Sequence, residues 1–266
     1  MDVQIYQWNA VDYAKSSSVQ QQWARELISK LKLKGNENLL DIGSGDGKVS
    51  AEIASCLPKG SVIGIDSSEA MIALAQSKYS TDVFPNLRFQ RGDASRLTFD
   101  NEFDVVFSNA TLHWILDHRP VLQGIYSGLK HGGNILLQMG GLRNAYEVEI
   151  IMKKLINKEE WSRYFVGFSF AYGFYGPDEY RLWLREAGLV AKRVELIPKD
   201  AKHNGRSGFE SWIRTTWLPY THQVPEEDRE IFITQLADDY LKHHPADENG
   251  MVHVNMMRLE VEAIKR

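Results

Sequence analysis

Leu39-Leu40-Asp41-Ile42-Gly43-Ser44-Gly45-Asp46-Gly47 (LLDIGSGDG, 39–47) begins as an apolar run and breaks into alternating glycines. A short apolar run that stops at glycine reads as a buried strand ending in a tight turn. Glycines there let the backbone take left-handed angles and come close to a ligand. A helical stretch follows over 48–57, so the turn also presents helix N-terminal N–H groups, which favour a carboxylate. The carboxyl end of a strand is where open α/β sheets bind their ligands. A glycine turn between strand and helix is often only a turn, so neighbouring features have to decide what it binds.

Spacing separates the rivals. The dinucleotide fingerprint G-x-G-x-x-G needs glycine or alanine at position 48, which is Lys48. The Walker pattern needs glycine at 42 and Ser or Thr at 49, which are Ile42 and Val49. Asp41, which neither rival requires, is placed to orient the turn or to receive a ligand's ammonium group. Asp66 closes the next apolar run, SVIGI (61–65), where a carboxylate can accept from both ribose hydroxyls. Ser67, Ser68 and Glu69 then look like a helix start. Gly92-Asp93-Ala94 follows a third run, with Asp93 able to receive an adenine amino group, and Asn109-Ala110 follows a fourth. Each strand-end Asp alone is more often a helix cap. Four such features in consecutive order describe one nucleoside-type site.

Outward from the turn, strands are expected at 38–42, 61–65, 87–90, 103–108, 134–139, 189–197 and 251–264, and helices at 16–30, 48–57, 67–78, 120–129 and 177–187. Runs such as VVF and ILL are apolar throughout, which suits strands buried on both faces. Alternating strands and helices imply an α/β fold with a doubly wound, mostly parallel, seven-stranded sheet. Residues 1–141 read as the ligand-binding core with an N-terminal helix. Residues 142–266 read as helical lid insertions after the fifth and sixth strands, plus the last strands, within the same domain. The stretch 142–175 is rich in Phe, Tyr and Trp, and 206–243 reads as two or three helices interrupted at Pro219 and Pro225.

Composition narrows the classes. The 266 residues are 43% hydrophobic and 25% charged, with net charge −4. These are the proportions of an ordinary globular chain, without the basic stripe of a nucleic-acid binder. A single cysteine, Cys56, rules out an internal disulfide framework and a multi-cysteine zinc cluster. His243 and His244 beside Asp247 and Glu248 lack metal-ligand spacing and read as a solvated loop, so no metal is expected. The N-terminus has no signal-peptide pattern and no stretch has the length of a membrane span, which makes the cytoplasm the expected location.

The segments LLDIGSGDG (39–47), VIGIDSSEAMI (62–72), GDA (92–94), FDVVFSNATLHWI (103–115) and LKHGGNILL (129–137) together resemble the class I S-adenosylmethionine-dependent methyltransferases. The resemblance implies S-adenosyl-L-methionine as cofactor. It implies that Gly43, Gly45 and Gly47 pack under the methionine portion, that Asp66 binds ribose, that Asp93 and Ala94 flank adenine, and that Met71 covers one adenine face. Tyr13, Asp41, Ser44, Ser67, Asn109 and Ala110 complete the expected cofactor shell.

Two branches that methylate acids look similar in detail. Trans-aconitate methyltransferases share Asn109-Ala110-Thr111-Leu112-His113-Trp114, the Trp8, Asn9 and Tyr13 start, and a stretch like Trp212–Thr216. Juvenile hormone acid methyltransferases share the 13–20 stretch and the His-Trp pair, which implies acceptor contacts from Gln20 and Trp114. Malonyl-carrier-protein methyltransferases match less specifically.

The expected reaction is therefore methyl transfer to a small-molecule carboxylate, with Gln20, His113 and Trp114 at the reacting end. An acid ionised at neutral pH needs no general base, so alignment and exclusion of water carry the rate. Arg214 is the expected charged contact, with Trp217 and Tyr220 beside it in the lid. The alternatives are a phenol, amine or carbon acceptor with His113 as base, and a non-catalytic cofactor-binding protein. Each candidate also has a structural reading: Gln20 solvated in QQQW, Trp114 a core anchor, His113 a packing residue, Arg214 a surface ion pair.

Overall fold

The computed structural model describes residues 18–266, with side chains from Trp23 onward. Tyr13 lies outside them. Gln20 lies in a described helix, but its side chain does not belong to the described set.

Helix α1 (Ser18–Lys30) leads into β1 (Asn38–Ile42), α2 (Lys48–Ser55), β2 (Ser61–Asp66), α3 (Glu69–Lys78) and β3 (Leu87–Arg91). Then come β4 (Phe103–Asn109), α4 (Arg119–Gly128) and β5 (Leu129–Gly140). Helices α5 (Tyr146–Leu155) and α6 (Glu159–Ser162) precede α7 (Pro177–Glu186) and β6 (Leu189–Asn204). Helices α8 (Gly205–Thr216), α9 (Leu218–Thr221) and α10 (Glu226–Leu241) separate β6 from β7 (Met251–Lys265).

The seven strands lie in the order β3-β2-β1-β4-β5-β7-β6. β1 to β5 run parallel, and β7 is antiparallel to both neighbours. Alternate residues divide the sheet's two faces. Leu39, Val62, Val105, Phe107 and Leu136 pack beneath α1, α2 and α3, against Leu27, Ile53 and Ile72. Leu40, Ile65, Val106, Ile135 and Val261 face α4 and α7, against Val121, Leu122, Ile125, Tyr180 and Leu184. Helix starts follow local chemistry: the Ser68 side chain accepts from Met71 N–H to cap α3, and prolines stand in the first turns of α4 and α7.

The last two strands depart from expectation in length. β6 continues to Asn204, paired with β7 from Pro198–Met257 out to Asn204–Met251. Polar residues and Pro198 argue against a strand there, but β6 is a sheet edge, where proline is tolerated. β5 also starts earlier, at Leu129, and its register against β4 jumps from Phe103–Leu129 to Val105–Asn134. The overhanging β6–β7 ribbon passes the carboxyl ends of the parallel strands. Its Ala201, Val252, Val254 and Met256 join a third core with α5, α8 and α10, around Phe209, Phe232 and Tyr240. The inserted helices are thereby built onto the sheet.

A buried ionic row fastens α1 to this end of the sheet. Glu260 on β7 is wholly buried and accepts from Lys30 Nζ at 2.8 Å to each oxygen and from Gln138 Nε2 at 3.1 Å, and it pairs with Arg193. Burial alone would raise the Glu260 carboxyl, and these donors outweigh it and hold it below the ordinary glutamate value. Replacing Glu260 by Ala leaves three donors without their acceptor. We expect a loss of about 3 kcal/mol in urea unfolding, the low end for a broken buried pair because Lys30 stays half in solvent. A loss below about 1 kcal/mol, the scale of a surface pair, would show that the row does not hold α1.

Candidate active site

The glycine turn is clamped from behind. Gly43 and Ser44 both donate their N–H groups to the Ile65 carbonyl, at 2.8 and 2.9 Å, and the Gly45 N–H donates to Asp66 Oδ2 at 3.0 Å. Asp66 Oδ1 accepts from the Ser68 N–H at 2.9 Å. Burial raises the Asp66 carboxyl despite these backbone donors. Each Asp66 oxygen retains a lone pair for a further donor.

The three glycines do different work. All have positive φ, at 78°, 53° and 83° for Gly43, Gly45 and Gly47. A Cβ at Gly43 would lie 2.1 Å from Thr111 Oγ1, so the loop after β4 rests directly on the turn. At Gly47 it would meet Phe89 Cζ at 2.7 Å, so this glycine faces the core between α2 and β3 rather than a ligand. At Gly45 a Cβ would meet nothing within 4 Å, which makes Gly45 the open face of the turn. Ser44 adds a buried hydroxyl with no hydrogen-bond partner.

Asp41 is buried and accepts from Ser50 Oγ at 2.5 Å, which ties the end of β1 to α2. Of its two expected roles, this geometry serves orientation of the turn. Asp93 caps a short 3-10 turn, its Oδ1 accepting from Ser95 N–H at 2.8 Å and Ser95 Oγ at 2.7 Å. Ala94 and Met71 are buried and Ser67 is exposed. Ala110 holds φ 56° and donates its N–H to the Gln138 carbonyl at 2.8 Å. Asn109 and Ala110 therefore stand at the rim between the turn and the space beyond.

That space is a cavity of about 60 Å³ at the carboxyl ends of β4 and β5. His113, Trp114 and Trp217 line it, together with Trp23 of α1, Tyr172, Phe174, Trp212 and Arg258. Gln20 lies three residues before Trp23 on α1. Arg258 is 3% exposed, with its guanidinium 5.5 Å from the Trp23 ring centre. It is the charged residue that sequence reasoning missed.

Arg214, expected in its place, instead makes a two-pronged pair with Glu230 on the outer surface, at 2.8 and 2.6 Å. The helix explains this: Trp212 and Thr216 are four apart and face the cavity, while Arg214 between them points about 200° away. Tyr220 is buried in the aromatic core against Phe168 at 4.7 Å, outside the cavity lining.

His113 stands among Trp114, Phe174 and Tyr172, with ring centres 5.5, 5.9 and 6.5 Å away. Burial, then the Arg258 charge and His118, push its pKa well below 6.5, so the ring is neutral. The Gly140 N–H points at Nδ1 over 3.4 Å, which leaves Nε2 as the ring's N–H.

The methyltransferase domain family matches residues 33–188. The chain belongs to that family. Its relatives include a trans-aconitate 2-methyltransferase of Deinococcus radiodurans, 33% identical over 232 residues, or 85% of this chain and 87% of the relative. That of Rhizobium meliloti is 26% identical over 268 residues, 97% and 98% of the two chains. The solved structure of Haemonchus contortus phosphoethanolamine N-methyltransferase 2 with S-adenosyl-L-methionine aligns with TM-score 0.61 and 18% identity, covering 96% of this chain and 56% of that one. At that identity the likeness is one of fold. The chain is an S-adenosylmethionine-dependent methyltransferase. The residues present suit this cofactor: the open Gly45 stands next to a strand-end carboxylate, Asp66, which its N–H meets, and the neighbouring Ser44 hydroxyl is buried without a hydrogen-bond partner. Among the described residues no helix is long and apolar enough to cross a membrane, and no group of three His, Cys, Asp or Glu could hold a metal.

Asp41 gives the site a pH signature. Burial first, and then the nearby Asp66 charge, raise its carboxyl from 3.8 to about 7, against the lowering effect of the Ser50 bond. The folded chain then binds this proton more tightly than the unfolded chain. The Asp41 contribution to stability therefore falls as pH rises from 3.8 to about 7, and is level above. Asp41→Asn is expected to flatten that part of the curve in thermal melts. An unchanged slope would place the titration elsewhere.

Proposed function

We propose that this methyltransferase transfers its methyl group to a carboxylate oxygen of a small organic acid. The observation that carries the proposal is the buried Arg258 guanidinium in the cavity wall, beside a neutral His113 whose Nε2 is an N–H donor. A cation and a neutral donor together complement an anion with several lone pairs. Trp114 adds an indole N–H and Gln20 an amide on the neighbouring helix. The trans-aconitate methyltransferases among the relatives support the same class of acceptor.

Bound S-adenosylmethionine supplies an activated methyl on a positively charged sulfur, and transfer leaves a neutral thioether. The chain's part is to hold that methyl and the acid together. Asp66 holds the ribose hydroxyls, Gly45 and Ser44 face the methionine portion, and Asp93, Ala94 and Met71 flank the adenine. The aromatic walls exclude water, and Arg258 and His113 fix the acid. Alignment of this kind is worth several orders of magnitude without proton transfer. An amine or phenol acceptor would need a base, and the His113 nitrogen free to face the cavity already carries its proton.

Two outcomes follow. Replacing Asp66 with Ala is expected to weaken S-adenosylmethionine binding by about 10–100-fold in calorimetry, the cost of hydrogen bonds to a charged group. Unchanged affinity removes the ribose assignment. For His113→Gln, which keeps an N–H donor but no base, methyl transfer to an accepted acid should stay within about tenfold of wild type. A general base typically contributes about 10²–10⁴-fold, so a fall of a hundredfold or more would support His113 as base and an acceptor that must lose a proton.

A further inference from the structure

His113 and Trp114 reach the cavity from a 3-10 turn of three residues, Leu112–Trp114. It is closed by the Trp114 N–H to the Thr111 carbonyl at 3.0 Å and the Ile115 N–H to the Leu112 carbonyl at 2.9 Å. So short a turn, with the poorer bond geometry of its kind, holds its shape weakly by itself. Its carbonyls are taken from elsewhere. The His113 carbonyl accepts from the Gly173 N–H at 2.9 Å, the Ile115 carbonyl from His118 Nε2 at 2.8 Å, and the Leu116 carbonyl from the Tyr175 hydroxyl. Segment 173–175 therefore crosses directly over 113–116.

His118 stands at that crossing. It is wholly buried just before α4 and does not line the cavity. Nε2 meets a carbonyl and so carries the ring's N–H, which leaves Nδ1 to accept from the Tyr180 hydroxyl of α7 at 2.5 Å. Met139 Sδ, 3.1 Å from the same hydroxyl, is a weak acceptor and does not compete for its proton. Burial pushes the His118 pKa down to about 4, against the raising effect of the Ile115 and Leu112 carbonyls and the Asp117 charge, so the ring is neutral at pH 7. Tyr175 and Tyr180 meet it edge-on, with ring centres 5.0 and 5.5 Å away. Gly173 packs onto the His118–Ile115 bond itself. A Cβ there would lie 2.3 Å from the Ile115 oxygen and 2.8 Å from His118 Nε2. With no side chain between the two segments, that bond sets how closely Tyr172 and Phe174 approach His113, at 6.5 and 5.9 Å between ring centres.

Resting on the reading that this cavity receives the acceptor, we propose that His118 is a positioning residue for methyl transfer: by holding the Ile115 carbonyl beneath Gly173, it sets the gap between the wall of His113 and Trp114 and the wall of Tyr172 and Phe174. It acts through those side chains and holds no reacting atom. A small misplacement of such walls is costly because transfer depends on alignment.

Three variants of the full chain separate the two bonds of the ring. In His118→Gln an amide nitrogen stands where Nε2 was and can donate to Ile115. In His118→Asn an oxygen stands where Nδ1 was, which can accept from Tyr180 but leaves Ile115 without its donor. His118→Leu makes neither bond. Each is measured for hydrogen exchange of the Gly173, Trp114 and Ile115 amides, for S-adenosylhomocysteine affinity by calorimetry, and for transfer of labelled methyl from S-adenosylmethionine to trans-aconitate, cinnamate, phenol and aniline. The Leu and Asn variants are expected to exchange those amides at least about tenfold faster and to lose about 10–100-fold in kcat on whichever compound is methylated, with S-adenosylhomocysteine affinity within about threefold of wild type. The Gln variant is expected to stay within about threefold of wild type throughout. Unchanged exchange in His118→Leu, or no recovery in His118→Gln, overturns the inference. So does a parallel loss of S-adenosylhomocysteine binding, which marks a general structural role. Exchange and cofactor affinity decide the role of His118 whichever compound accepts the methyl group. Methylation of phenol or aniline with no ester from either acid overturns the carboxylate reading alone.

Discussion

The site depends on a lack of room at Gly43. Its backbone is pinned to the Ile65 carbonyl, and Thr111 Oγ1 occupies the place where a Cβ would be. With φ at 78° the residue is strained for any side chain even before the clash. That one close approach brings the ends of β1, β2 and β4 together. From β2 it sets Asp66 beneath Gly45. From β4 it sets the 109–114 segment, which carries His113 and Trp114, at the edge of the same turn. Ser108 strengthens the join by donating to the Ile42 carbonyl at 2.8 Å from a fully buried position. The glycine turn and the cavity wall are therefore two sides of one packed contact.

The cavity wall is completed from distant parts of the chain. Trp23 comes from α1, Tyr172 and Phe174 from the segment before α7, Trp212 and Trp217 from the helices before β7, and Arg258 from β7. The overhanging β6–β7 ribbon makes this assembly possible, since it carries the third core onto the carboxyl side of the sheet. Arg258 sits opposite Gly140 and two residues from Glu260, on the face that α1 covers. The ionic row that anchors α1 thus continues into the cavity, and the same helix supplies the ring over the guanidinium.

The legibility of the sequence follows these distances. LLDIGSGDG, Asp66 and the strand-end residues act through local backbone geometry, so spacing revealed the turn and the sheet, and the family resemblance that these segments carry implied the cofactor. The same spacing did not separate the roles of the glycines, because whether Gly47 faces a ligand or Phe89 depends on packing from β3. Trp114 and His113 were singled out through a short shared segment, and both line the cavity. Arg214 came from such a segment too, but one that ignored the turn of its own helix, where Trp212 and Thr216 claim the inward face. Arg258 was hidden for a different reason. In MVHVNMMRLEVEAI it shares a face with Glu260 and Glu262, as an outward polar residue of a strand would, and only the packing of α1 over β7, with Trp23 against Arg258 and Lys30 against Glu260, buries it. An expected β6 end at residue 197 failed similarly, because Pro198 argues against a central strand and says nothing against an edge.

A buried arginine is costly in a wall of rings, and its retention needs a physical reason. Stability is a poor one, since apolar replacements of buried charges are often neutral or better. The Trp23 ring face offsets part of the desolvation. The guanidinium also keeps His113 neutral, adding to the effect of burial. On the proposed reading one buried charge does two things: it attracts the anionic acceptor, and it helps hold the neighbouring imidazole in its neutral form. Both effects suit the proposed acceptor, which arrives already ionised.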